Sequence, residues 1–335
     1  MHKRRALSEV ISTTILVAAM LVIVTGVMGF ALNLFNVQTQ EAEFSQAENG
    51  VISLAQTVDG ILPSPGASGF SSFNSRTGGP ILINNYDNMN ISIVNSSGYI
   101  IWNNKVAINM FRYRAGSLVS FENYQWLRAG QFTGLPFITS FPNTLIVQNN
   151  SNPLGFVFIS HDSGSTWVSM DYRRINVNNL GLFNASLGAV PIGVDQGGNT
   201  IYKQIFQEVN MVQLNFVNIT GGTFSGSNKL NVVVSNQGVS TKSVVIPDPA
   251  TLSVKKSSLL WSNTTYQVII TVNLLNKLPG QSAPPSSTLV LNIPYGVQVP
   301  PTASCLPPGT NHYFCPVNTV INIIVTNIQL SFAGA

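Results

Sequence analysis

The stretch from Met1 to Phe35, MHKRRALSEVISTTILVAAMLVIVTGVMGFALNLF, decides how the rest of the chain is read. Lys3, Arg4 and Arg5 stand directly before an apolar run, and Glu9 is the one acidic residue at its start. From Val10 to Phe35 no residue is charged. As a helix this segment would span about 39 Å, enough to cross a hydrocarbon core of roughly 30 Å. The next Lys or Arg is Arg76, and Glu41, Glu43 and Glu48 follow the run. The positive-inside rule therefore places the N-terminus in the cytoplasm and the bulk of the chain outside.

An ordinary secretory signal has an apolar core of roughly 7 to 15 residues before its cleavage site. This run is longer, and the pattern beyond it continues the helix. In NVQTQEAEFSQAENGVISLAQTVDGIL, residues 36–62, apolar residues recur at Phe44, Ala47, Val51, Leu54, Val58 and Ile61. Those spacings alternate between 3 and 4, which marks a helix with one apolar seam. Gly60 and Pro63 supply the stop.

KRRALSEVIS followed by an apolar helix resembles the class III signal peptide of archaeal type IV pilin-like proteins. The resemblance implies a prepilin peptidase that cuts between Ala6 and Leu7, guided by Lys3, Arg4 and Arg5, so that the mature chain keeps its helix. Glu9 then stands third in the mature chain, whereas bacterial pilins usually carry an acidic residue at the fifth position. A carboxylate inside a membrane costs roughly 2.5 kcal/mol or more unless it is paired. Glu9 is accordingly expected to gain from the helix start and, on assembly, to meet the α-amino group of a neighbouring subunit.

Only 8% of residues are charged, against roughly 25% in ordinary soluble proteins, while 44% are hydrophobic. Disorder is excluded by that apolar content. Of the formal charge of +4, three units come from Lys3, Arg4 and Arg5, so the exported part is nearly neutral and offers no basic groove for nucleic acid. After Pro63 the sequence PSPGASGFSSFNSRTGGP reads as a Pro/Gly/Ser-rich linker. From Ile81 onward short β-branched and aromatic runs, such as LGFVFISHDSGSTWVSMDY and TVINIIVTNIQLSF, alternate with Asn, Gly and Pro turns.

The expected fold is α+β. A long hydrophobic N-terminal helix precedes a mainly antiparallel, sandwich-like β head of two layers or two domains. The expected divisions are a leader over 1–6, a helix over 7–62, a linker over 63–80, a β domain over 81–205 and a β-sandwich-like domain over 206–335.

Asn90, Asn95, Asn149, Asn184, Asn218 and Asn263 begin Asn-X-Ser/Thr sequons, all on the side the topology places outside. Cys305 and Cys315 flank LPPGTNHYF, and the Pro-Pro-Gly turn favours a small disulfide loop over two unpaired thiols. SHDSGSTW, residues 160–167, matches the Asp-box pattern of sialidase-like propellers. Ser160, Asp162, Gly164, Thr166 and Trp167 are expected to stabilise a hairpin turn. Asp162 would accept backbone N–H groups, Gly164 would supply a permissive backbone, and Trp167 would pack beneath. Arg112, Arg114, Arg173 and Arg174 lie beside tyrosines and are assigned to a solvated strand face rather than to an anion site.

No metal-spaced histidines, nucleophile elbow or phosphate loop is present, so neither an enzyme nor a cofactor is expected. The leading expectation is a structural subunit of an archaeal type IV pilus-like surface filament, anchored in the cytoplasmic membrane before assembly. Its partners would be copies of itself, the prepilin peptidase and the assembly machinery. The alternative is a membrane-anchored or minor pilin-like adhesin that binds surface glycans or other envelope components.

Overall fold

The structure is a computed structural model. It describes residues 2–95, 98, 100–121, 124–128, 146–147, 155–222, 228–246, 265–275, 286–294, 296–298, 314–316 and 318–334. Among the described residues one helix, α1 (His2–Ile61), is followed by fifteen strands. In chain order these are β1 (Ser68–Ser75), β2 (Gly79–Asn95), β3 (Ile100–Arg114), β4 (Gln125–Arg128), β5 (Ile146–Val147), β6 (Phe156–Asp162), β7 (Ser165–Asp171) and β8 (Ile175–Val194). Then come β9 (Thr200–Gly221), β10 (Asn228–Ile246), β11 (Thr265–Leu274), β12 (Ser286–Pro294), β13 (Gly296–Gln298), β14 (Phe314–Pro316) and β15 (Asn318–Gly334).

The strands form two large sheets and a ribbon. One sheet has the order β1-β10-β15-β9-β8-β5, the other β12-β11-β2-β3-β7-β6-β4, and β13 pairs with β14. Pairing is antiparallel except where β15 runs parallel to β9 and β5 parallel to β8. The expected α+β fold with a sandwich-like head is the observed one. Of the two arrangements expected for the head, the structure has the two layers. The expected division at 205/206 falls inside β9, and both sheets draw strands from either side of it.

α1 has 60 residues, a length of about 90 Å. Helix-forming Ala, Leu, Gln and Glu run without a proline until Pro63, and the helix ends two residues before it. Two cores hold the head together. The first joins Val51, Leu54 and Val58 of α1 to Phe73, Phe111, Tyr113, Val168, Met170, Val232, Val234, Ile328 and Leu330. The second lies between the sheets farther along and includes Ile91, Ile93, Val212, Leu214, Val268, Ile270, Ile321 and Ile323. Alternate residues of β9, β11 and β15 point into it, the period-2 signature of a sheet with one buried face.

The 63–80 segment departs from the expected linker. Residues 68–75 form β1, which pairs with β10 from Ser68↔Ser235 to Ser75↔Asn228. Its small residues have a packing purpose. A Cβ on Gly69 would collide with the Thr57 side chain, and Ser71 Oγ donates to the Gly50 carbonyl of α1 at 3.0 Å. Phe73 then lies against Gly50, where a Cβ would come within 2.9 Å of its ring. The Gly/Ser composition that suggests a linker is what lets a strand lie directly on a helix.

Candidate functional site: the N-terminal helix and its seat

α1 is divided by what covers it. From Ile11 to Phe35 its described side chains are exposed, Val22 and Phe30 reaching 70% and 72%. From Phe44 onward the predicted seam is buried: Phe44, Ala47, Val51, Leu54, Val58 and Ile61 are all at or below 8%. Ala55 joins them. This lower half of the helix lies along β1 and β10 of one sheet and β4, β6 and β7 of the other, closing the gap between two sheet margins.

Polar contacts fix the lower half at three heights. Where the helix enters the head, Glu43 points into the turn between β1 and β2. Its Oε1 accepts from the backbone N–H groups of Arg76 (2.9 Å), Thr77 (3.1 Å) and Gly78 (3.3 Å) and from Tyr113 Oη (2.9 Å). Its Oε2 accepts from Thr77 Oγ1 at 3.0 Å. Three successive N–H groups converging on one carboxylate make an anion nest. Gly78 is required there, because a Cβ would strike the Arg114 carbonyl oxygen. One turn above, Gln40 Oε1 accepts from the Leu118 N–H at 2.8 Å.

Burial alone would raise the Glu43 carboxyl, but the donors from Thr77, Tyr113 and Gly78 outweigh it and hold the group below its ordinary 4.5. Burial, reinforced by the Glu43 charge, pushes the Tyr113 phenol well above its usual range, so it stays protonated and donates. Half-buried Glu48 is raised by burial.

At mid-height Gly50 and Thr57 take β1, as described above. Near the helix end Tyr172 Oη donates to the Ala55 carbonyl (3.0 Å) and to Asp59 Oδ1 (3.1 Å), and Arg128 pairs with Asp59. The last carbonyls are capped from β10: Asn236 Nδ2 donates to Ile61 O (2.9 Å) and Leu62 O (3.1 Å). Asn236 is itself held, since its N–H donates to Ala67 O and its Oδ1 accepts from the Gly238 N–H. Helix ends leave such carbonyls without intrahelical partners, and here a strand supplies the donor.

Of the processing and assembly residues, Lys3, Arg4, Arg5, Ala6, Leu7 and Glu9 lie on the first turns of α1. Their side chains are outside the described residues. The helix runs without a break from the leader into the apolar run.

The Asp-box is a β6–β7 hairpin whose turn residues Ser163 and Gly164 have φ of 53° and 73°. Gly164 thus occupies the left-handed region that glycine favours. Asp162 does something else than expected. Among the described residues its carboxylate accepts from Ser163 Oγ (3.0 Å) and from Arg112 Nη1 (3.3 Å), not from backbone N–H groups. Trp167 Nε1 donates to the Asp162 carbonyl at 3.2 Å, and the Arg112 guanidinium stacks 4.3 Å from the Trp167 ring. Ser160 Oγ accepts from Arg112 Nη2, and Thr166 Oγ1 donates to Val119 O.

The solvated-face assignment of the arginines is overturned for three of the four. Arg112, Arg173 and Arg174 are buried, while Arg114 is exposed. Arg173 pairs with Asp87 at 3.4 Å and with Asp171, all three nearly inaccessible. Arg174 lies 4.3 Å over the Phe156 ring, and burial lowers it to about 10, still a cation at neutral pH.

Among the sequons, Asn90 and Asn218 are half-buried within β2 and β9, and Asn218 Nδ2 donates to Asn327 Oδ1 at 3.0 Å. Asn95 and Asn184 lie in β2 and β8 with side chains outside the described residues, as are Asn149 and Asn263 altogether. Cys315 lies in β14 opposite Val297, while Cys305 and the pairing of the two fall outside them. A cavity of about 10 Å³ beside Met89, Ile108, Tyr172 and Phe216 has room for about one water. Among the described residues no cluster of three His, Cys, Asp or Glu is placed to hold a metal.

No family model, no curated protein and no solved structure matches this chain.

Proposed function

We propose that the chain is a structural subunit of an archaeal type IV pilus-like surface filament. In this reading the upper half of α1 anchors the subunit in the cytoplasmic membrane and later enters a bundle of like helices. The β head is displayed outside. The observation that carries the reading is the division of α1: apolar and wholly uncovered over Ile11–Phe35, and locked into the head from Phe44 onward. An uncovered apolar stretch of about 37 Å needs lipid or other helices around it. The lower half has already spent its seam on the head, so it transmits position from the membrane or filament to the head as a stiff strut. The class III pattern around Ala6 and Leu7 supplies the archaeal pilin-like part of the proposal.

The deciding experiment is mass spectrometry of the N-terminus of protein recovered from the cell envelope. A mature terminus at Leu7 supports the proposal. A terminus at Leu32 would remove the uncovered half and end it. Electron microscopy of the same material separates a major subunit, present along helical filaments, from a minor adhesin found at filament tips.

A further inference from the structure

Two sequons lie on strands whose side chains are described, Asn90-Ile91-Ser92 in β2 and Asn218-Ile219-Thr220 in β9. Both asparagines are half-buried, so exposure does not separate them. Their hydrogen bonds do. At the second sequon β15 engages both ends: Asn218 Nδ2 donates to Asn327 Oδ1 at 3.0 Å, and Thr220 Oγ1 donates to the Ile328 carbonyl at 3.3 Å. Nδ2 is the atom that would carry a sugar, and the hydroxyl two residues on completes the signature a glycosylating enzyme reads. The fold has used both.

At the first sequon neither group is used. Met89, Ile91 and Ile93 of β2 are buried in the second core, so Asn90 and Ser92 stand on the opposite face of the sheet. Among the described residues neither side chain makes a hydrogen bond. Asn90 is opposite Lys105 of β3 and Asn273 of β11, and Ser92 is opposite Asn103 and Thr271. Lys105, Asn103 and Asn273 are exposed, which leaves this face open around the Asn90 amide. Asn273 is tied toward β12, on the side away from β2, where its Oδ1 accepts from Ser286 Oγ at 2.6 Å.

We infer that Asn90 is a site of N-linked glycosylation and that Asn218, with the same sequence signature, stays bare. In the modification the Asn90 amide nitrogen forms a bond to the anomeric carbon of a polyprenyl-phosphate-linked oligosaccharide. The anomeric C–O bond to the phosphate breaks, the phosphate keeps the bonding pair, and it takes up the proton lost from the amide. Whether added before or after folding, a sugar on Asn90 stands clear of both cores and costs no hydrogen bond. A sugar on Asn218 would have to displace the bond to β15. The inference rests on the outside placement of the head in the proposed function and deepens it by choosing between sequons that look equivalent in the sequence.

The test is site mapping by mass spectrometry on the full chain recovered from the cell envelope, with electron-transfer fragmentation to separate Asn90 from Asn95. Protease shaving of intact cells first establishes that the head is outside; a protected head overturns the outside placement itself and this inference with it. With the head outside, the peptide carrying Asn90 should be heavier by a whole number of sugar residues, and the peptide carrying Asn218 should have its unmodified mass. Asn90→Gln and Ser92→Ala should each abolish the added mass at this site, the second while keeping the asparagine. The mapping of the unaltered chain stands even where a variant folds poorly. An unmodified Asn90 overturns the inference and leaves the filament reading intact, whether or not other sequons carry sugar. Sugar on Asn218 overturns the part of it that keeps that residue bare.

Discussion

The two halves of α1 belong to one unbroken helix and have opposite surroundings. Over Ile11–Phe35 apolar residues face every direction and none is covered; over Phe44–Ile61 they keep to one seam and all of that seam is covered. Apolar residues on all sides fit a medium that is apolar on all sides, whereas a single seam fits one protein surface. The seam therefore belongs to the fold of the subunit, and the full circumference belongs to its surroundings.

Substitutions placed on the two halves should behave accordingly. The largest effect is expected for Leu54→Ala, which empties a fully buried position in the first core and should cost about 3–5 kcal/mol. Leu21→Ala, in the uncovered half, should leave head stability within about 0.5 kcal/mol. Thermal or denaturant unfolding of both variants in detergent checks the contrast, and equal losses would break it.

Next comes Glu43→Ala, which leaves the nest N–H groups without their acceptor and Tyr113 Oη with the Asn74 carbonyl, for about 2–3 kcal/mol. This contact also has a pH signature. Because the folded carboxyl lies below 4.5, its stabilisation is fully present above about that pH and is lost as pH falls through the lower folded value. Glu43→Gln should flatten that acid-side loss in a pH series of unfolding midpoints.

A smaller cost, about 1–2 kcal/mol, is expected for Asn236→Ala, which uncaps Ile61 and Leu62. Hydrogen exchange should show it as earlier fraying of the last turn of α1. The smallest effect has the opposite sign. Burial disfavours the charged form of Glu48, so Glu48→Gln should slightly raise the melting temperature at neutral pH and make no difference at low pH.

The helix was legible because its signals are local. The alternating 3 and 4 spacing named six seam residues, and all six are buried; Gly60 and Pro63 bracketed the observed end at Ile61. The polar seat was not legible, because its partners are far apart in the chain. Glu43 meets Tyr113 70 residues on, and Asn236 reaches back 175 residues to Ile61. Glu43 looked like one of three acids marking the outer side of the membrane, and nothing nearby in the chain announces a nest. The arginines misled for the same reason. Arg112 and Arg173 find Asp162 and Asp87 at separations of 50 and 86 residues, and strand alternation cannot reveal a charge buried by pairing. β1 was hidden by composition, since Gly69 and Ser71 serve close approach to α1 and not flexibility.

β15 has a consequence for the order of events during folding. It lies in the interior of its sheet, between β10 and β9, and contributes Ile328 and Leu330 to the core under α1. In chain order α1 is the first of the described elements and this strand the last. Until residues 318–334 are in place, β9 and β10 have no common neighbour and the groove for the helix lacks part of its floor. The lower half of α1 thus waits for this strand, far along the chain, before its seat is complete. Closure of the head around the lower half of α1 therefore reports that β15 has docked.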